Sequence, residues 1–171
     1  MRFIVGVDLR GLSPGASDLA AWLRETGTGH SFVAAHVLEG GDDLGADLGF
    51  PTEAVEERVL AALQDDVARV GREVFDEVGV QRATAAEDGL AAAADLHKAD
   101  GLLLGRRAPA EGPGLVRLGR VARRLLRELP APVIIVPPDL RRDQVGPGPV
   151  LVSVDLSDSC LGAVRYARAM A

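Results

Sequence analysis

A short apolar run, a glycine-bearing loop rich in arginine and the start of an amphipathic segment follow one another at Gly101–Arg127, G-L-L-L-G-R-R-A-P-A-E-G-P-G-L-V-R-L-G-R-V-A-R-R-L-L-R. Backbone N–H groups in such a loop, and the positive end of a helix dipole behind it, attract anions. Arginine forks match phosphate oxygens two at a time. Gly105 and Gly119 offer close backbone approach, and Arg106, Arg107 and Arg120 offer charge. Gly112 and Gly114 offer a second nest of donors. Against this, Pro109 lacks an N–H and stiffens the loop, and Ala108 places a Cβ where approach is wanted. Asp8 closes the first apolar run, a position that faces the ligand crevice in open α/β sheets. It serves equally well as a cap on the turn at Leu9–Gly11.

Other reactive side chains read as structural. His36 falls within an apolar run and is expected to pack at a strand end, while His30 and His97 are expected on the surface. Asp42, Asp43 and Asp47 share a glycine-rich loop but lack the spacing and closing glutamate of a calcium loop. No His/Cys/Asp/Glu grouping has metal-ligand spacing. Asp155, Ser157, Asp158 and Ser159 suit a helix N-cap better than a phosphate loop, and Cys160 follows them as a structural thiol. Between Gly105 and Arg120 the only carboxylate is Glu111. Nucleotide transfer or hydrolysis needs a base, a nucleophile or a metal-binding pair beside the loop, so no catalytic residue is assigned.

These residues must be positioned by alternating strands and helices. Arg2–Val7, Ser31–Leu38, Val80–Ala86, Gly101–Leu104 and Val133–Val136 read as strands. Ser13 and Pro14 open a helix through Leu19, Trp22 and Leu23 that stops near Gly27. Thr52 opens another, with Val55, Val59, Leu63, Val67, Val70, Val74 and Val78 at helical spacing and Gly79 as its stop. Asp88–Lys98 and Leu115–Leu126 are two more, the last carrying Arg117, Arg120, Arg123, Arg124 and Arg127 on its solvated face. Alternation of this kind predicts a parallel α/β sheet with right-handed crossovers.

Pro137–Pro149 has linker composition. Beyond it, Val150–Asp155 reads as a strand and Ser157–Ala169 as a helix. Val152, Val154, Asp155 and Leu156 repeat Val5, Val7, Asp8 and Leu9 at a constant offset of 147 residues. Residues 150–171 therefore read as the first β-α unit of a second, incomplete copy, after a domain at 1–138 and a linker at 139–149.

The chain has 171 residues, is 47% hydrophobic and only 4% aromatic, and carries a net charge of −6. A core of Ala, Val and Leu suits helices packed on a sheet. An acidic chain is a poor general nucleic-acid binder, although seven arginines fall between Arg106 and Arg127, a local patch that suits a small anion. A single cysteine excludes an internal disulfide, no signal-peptide layout opens the chain, and no apolar run nears the roughly 20 residues of a membrane span. A cytoplasmic protein without membrane or nucleic-acid partners is expected.

Order and content resemble the universal stress protein family. The similarity rests on the first strand closing in Val7-Asp8, the second carrying His36-Val37, the fourth ending at Gly105, the Arg106–Arg127 loop and helix, and the Pro132–Val136 strand. It covers residues 1–138, with residues 150–171 resembling the opening of a second domain, as in tandem members. The resemblance implies an open five-stranded parallel sheet of order 3-2-1-4-5 with helices on both faces, and homodimers through the fifth strand; the C-terminal β-α unit is a second candidate interface. Nucleotide-binding members share Gly, two residues, Gly, nine residues, Gly, then Ser or Thr. Here Gly105 matches the first glycine, Ala108 replaces the second, Gly119 follows after ten residues rather than nine, and Arg120 replaces the hydroxyl residue. The implied cofactor-binding set is Asp8, Val37, Gly105, Arg106, Arg107, Gly119 and Arg120, with ATP or another adenine nucleotide as cofactor. Three functions stay open: a stress-response regulatory module that binds the nucleotide, a dimerisation scaffold of the same fold that has lost it, and, ranked last, an enzyme of nucleotide transfer or hydrolysis.

Overall fold

The computed structural model describes residues 1–9, 15–27, 29–40, 52–106, 119–128, 131–146, 148–155 and 160–170. Five parallel strands form one sheet, β1 (Arg2–Gly6), β2 (Ser31–Glu39), β3 (Glu77–Ala83), β4 (Gly101–Gly105) and β5 (Val133–Val136), in the order β3-β2-β1-β4-β5. The helices are α1 (Gly15–Thr26), α2 (Thr52–Val70), α3 (Ala86–His97), α4 (Arg120–Glu128) and α5 (Cys160–Met170). The expected architecture and strand order are the observed ones.

Continuous apolar runs make the central strands because both faces of a parallel sheet are covered. In β1, Phe3 and Val5 join the core under α1 and α2, while Ile4 joins the core under α3 and α4. In β4, Leu103 faces the first layer and Leu102 and Leu104 the second. Register follows from this alternation, Ile4 pairing with Val33 on one side and Leu102 on the other. Each of these fully buried side chains contributes about 1.5–3 kcal/mol. The helices meet the sheet through small or branched residues at helical spacing: Ala16, Ala20 and Leu23 on α1, Leu63 and Val67 on α2, Leu90, Ala93 and Ala94 on α3, and Ala122 and Leu125 on α4.

Several boundaries differ from the expected ones. The long helix ends at Val70 rather than running to Val78. Gly71, at φ +126°, breaks it, and a single 3-10 turn at Arg72–Val74 leads into β3. Val74 and Val78 continue the helical spacing by accident: Val74 is buried in that turn, and Val78 pairs with Ala34 inside the sheet. β3 accordingly begins at Glu77, three residues before the expected start. The linker-like segment is not detached. Leu140 packs on the core, and Arg142 pairs with Glu25 of α1. Val150–Asp155, expected as a strand, joins no ladder, and Leu151 is 91% exposed. A strand needs a neighbouring strand for its backbone groups, and among the described residues this segment pairs with none. α5 nevertheless docks, with Tyr166 and Met170 packed against the first core layer. The helix starts expected at Ser13-Pro14 and Leu115, the Thr52 cap, the aspartate loop at 42–47 and the polar run at 157–159 lie outside the described residues or side chains.

Candidate functional site

A cavity of about 310 Å3 opens at the carboxyl ends of β1, β2 and β4. This is where the topology predicts one. The chain leaves β1 toward β2 on one side while β4 lies on the other, so the loops diverge and leave a crevice. Its volume is within the range that accepts a small organic ligand.

The β1 side is fixed by main chain. Val7 N–H donates to Ala35 O at 2.9 Å, and Nδ1–H of His36 donates to Val7 O at 2.8 Å. A carbonyl only accepts, so Nδ1 carries the hydrogen. His36 is 9% exposed, packed as expected, and it holds the backbone that presents Asp8 to the cavity. Val37 of β2 is buried in the wall beside it. With Ala86 and Leu90 of α3, Leu104 of β4 and Val121 of α4, it makes an apolar patch. Gly105 and Gly119 leave backbone uncovered between that patch and the polar rim of Asp8, Glu39 and Arg120. At Gly119 an added Cβ would meet nothing within 4 Å among the described residues, so their packing does not demand glycine there. Such a lining suits a flat apolar ring joined to a small polar or anionic group.

Of the seven expected site residues, the structure brings Asp8, Val37, Gly105, Gly119 and Arg120 to one cavity. Arg106 stands outside that wall; its N–H donates to Val136 O at 2.8 Å, prolonging the β4–β5 ladder by one residue. Arg107 lies outside the described residues, as do Ala108, Pro109, Glu111, Gly112 and Gly114. Among the lining residues that sequence reasoning missed are Glu39, Ala86, Leu90, Leu104 and Val121. Glu39 had a readable signal, since an acidic residue closing an apolar strand is the feature that marked Asp8. Ala86 and Leu90 are ordinary helix residues that acquire a role only when α3 packs beside β2. Glu39 accepts two hydrogen bonds at one oxygen, from Ala86 N–H at 2.9 Å and from Nη2 of Arg120 at 3.1 Å.

Behind the cavity wall Glu87 of α3 is 1% exposed and accepts a hydrogen bond from Nη1 of Arg124 at 2.9 Å. That ion pair joins α3 to α4, the two helices whose first turns line the site. Among the described residues no group of three or more His, Cys, Asp or Glu is placed to hold a metal ion. No described helix is long and apolar enough to cross a membrane.

Comparison with protein families matches residues 1–137 to the universal stress protein family. Among solved structures, a universal stress protein from Archaeoglobus fulgidus is 23% identical with a TM-score of 0.51, the match covering 80% of this chain and 98% of that one. One from Burkholderia pseudomallei is 21% identical with a TM-score of 0.54, covering 80% and 95%. A universal stress protein solved in complex with cAMP is 20% identical with a TM-score of 0.52, covering 81% and 98%. Comparison with curated proteins finds no match.

Proposed function

Because the chain belongs to the universal stress protein family, we propose that its cavity binds an adenine nucleotide and that the domain acts as a regulatory module of the stress response, without a catalytic step of its own. The observation that carries this reading is the convergence of Asp8, Val37, Gly105, Gly119 and Arg120 on one cavity from four separate stretches of sequence. The apolar patch receives the adenine, Asp8 lies near the sugar, and the two glycines with Arg120 receive phosphate. A solved relative carrying cAMP supports the ligand class.

The test is thermal unfolding of the purified protein with AMP, cAMP or ATP. A ligand at a hundred times its Kd adds about 2.7 kcal/mol to stability, a shift of several degrees. No shift with any of the three at millimolar concentration overturns the reading. That result supports the second one, a scaffold that has lost its nucleotide. The specific observation favouring the scaffold is that Arg120, the one arginine on the described wall, is already paired with Glu39.

A further inference from the structure

A second cavity, of about 230 Å3, lies along α4. The described residues that line it are Arg120, Arg123, Arg124 and Arg127. Spacings of three and four residues put all four on one stripe of the helix, while Ala122 and Leu125 turn to the core. The stripe runs against what a helix favours. Like charges three and four residues apart repel one another. Arg120 stands in the first turn, at the positive end of the helix dipole. The sequence of α4 contains a single acidic residue, Glu128, at its last position. Departures of this kind gather at functional sites, where a ligand relieves them.

The four arginines fall into two pairs. Arg120 and Arg124 are anchored, to Glu39 at 3.1 Å and to Glu87 at 2.9 Å. Arg123 and Arg127 are exposed and have no ion pair among the described residues. From this we infer that the groove on α4 is a second anion site, which takes a chain of phosphates with Arg123 and Arg127 as its contacts. The stripe spans about 10 Å of helix, with an arginine about every 5 Å along the axis. One phosphate engages one such step, whereas a chain charged at every unit engages several, each guanidinium gripping a pair of oxygens. A peptide fits less well, because a protein interface needs apolar area at its centre and no apolar side chain is among the described lining. A long nucleic acid meets a net charge of −6. Arg120 lines both cavities, so two sources of the chain fit: the tail of a nucleotide in the first cavity, or a free polyphosphate. The first source rests on the nucleotide reading above; the groove does not.

Arg123→Gln/Arg127→Gln tests the groove, since both side chains are exposed and neither is needed for the core. Titration calorimetry at low salt should show inorganic tripolyphosphate binding the natural protein more tightly than inorganic monophosphate does. It should bind this double variant about tenfold more weakly. Arg58→Gln/Arg72→Gln, in α2 and the turn after it on the opposite layer, removes the same charge and should change tripolyphosphate binding by less than about twofold. Tripolyphosphate that fails to bind, binds no better than monophosphate, or is weakened equally by the two double variants would overturn the proposal. AMP and ATP then identify the source. For a nucleotide tail, Arg123→Gln/Arg127→Gln weakens ATP about tenfold and leaves AMP unchanged; for a free polyphosphate, both nucleotides are unchanged while tripolyphosphate is weakened. If no nucleotide binds any of the proteins, the nucleotide reading fails, and the tripolyphosphate comparison still decides the groove.

Discussion

The two ends of the sheet use the same kinds of residues to opposite effect. At the amino end, charged and polar groups are consumed by one another. Arg24 donates both Nη atoms to Asp76, at 3.2 and 2.7 Å, and reaches His30 O at 2.7 Å. Asp76 also takes Phe32 N–H at 2.8 Å, Asp100 takes Arg2 N–H at 2.7 Å, and Arg2 pairs with Glu77. At the carboxyl end, Asp8, Glu39 and Arg120 line an open cavity, with Arg120 paired to Glu39 along its rim. The difference is topological. Strand starts are closed by short returns from the helices, whereas diverging loops at the other end leave room that side chains do not fill. An Arg or Asp at a strand end is therefore a fastener at one end of the sheet and part of a cavity wall at the other. The experiments below ask whether that division holds.

The largest effect is expected behind the cavity. Glu87 is 1% exposed, one of its oxygens is held by Arg124, and the other has no hydrogen-bond donor among the described residues. Removing Arg124 leaves a buried carboxylate without its cation. Arg124→Met should lower stability to urea by about 2–3 kcal/mol, less than for a fully buried pair because the arginine is half exposed. Adding Glu87→Leu should restore most of the loss, since two apolar residues replace a buried ion pair at little net cost. A loss under about 0.5 kcal/mol in Arg124→Met would show that the carboxyl end has slack even behind its wall.

Much of this was legible in the sequence. Apolar runs with β-branched and leucine residues located all five strands, and their alternation with helices located the sheet order through the family pattern. Asp8, Gly105 and Gly119 were readable because strand-end position and glycine content carry meaning without a fold. Glu39 carried the same strand-end signal as Asp8, but its two partners were hidden. It joins the site only because Ala86 lacks a cap and Arg120 lies within reach, two facts separated from it by 47 and 81 residues. The end of α2 was misread because Val74 and Val78 keep the helical period past Gly71, and periodicity cannot register a positive φ. The strand at Val150–Asp155 was misread for a third reason: local pattern specifies an extended run, but a ladder requires a second strand that local pattern does not supply.

A middle-sized effect belongs to the amino end. Burial works against the charged form of Asp76. Hydrogen bonds from Arg24 and Phe32 N–H, with the nearby charges of Arg24 and Arg2, outweigh it and hold the carboxyl below its usual range. A depressed folded value means that Asp76 stabilises the fold above the unfolded value of about 4, and that this contribution is lost as pH falls through the folded one. Asp76→Asn should cost about 1–2 kcal/mol at pH 7, allowing for partial exposure. The gap between the two proteins should close below pH 4. A gap that persists undiminished at pH 2 would assign the effect to packing instead of charge.

The smallest effect tests whether the amino end is as fully consumed as it looks. Tyr166 of α5 lies over Gly101, where an added Cβ would come within 2.5 Å of the hydroxyl, so glycine is what admits the ring. The hydroxyl has no hydrogen-bond partner among the described residues. Burial, and secondarily the charge of Asp100, push its pKa up to about 12. The neutral form is thus the one the fold accepts. Its contribution is fully present below pH 10 and is lost as pH rises from 10 through 12, a window set by the unfolded and folded values. Tyr166→Phe keeps the ring and removes a buried hydroxyl that has no hydrogen-bond partner among the described residues. Stability at pH 7 should stay level or rise by up to about 1 kcal/mol, and the alkaline loss should shrink. Urea unfolding at pH 7 and pH 11 measures both. A loss of more than about 1 kcal/mol at pH 7 would mean that the hydroxyl has a partner after all, and that this end of the sheet, like the other, holds a polar contact its neighbours do not supply.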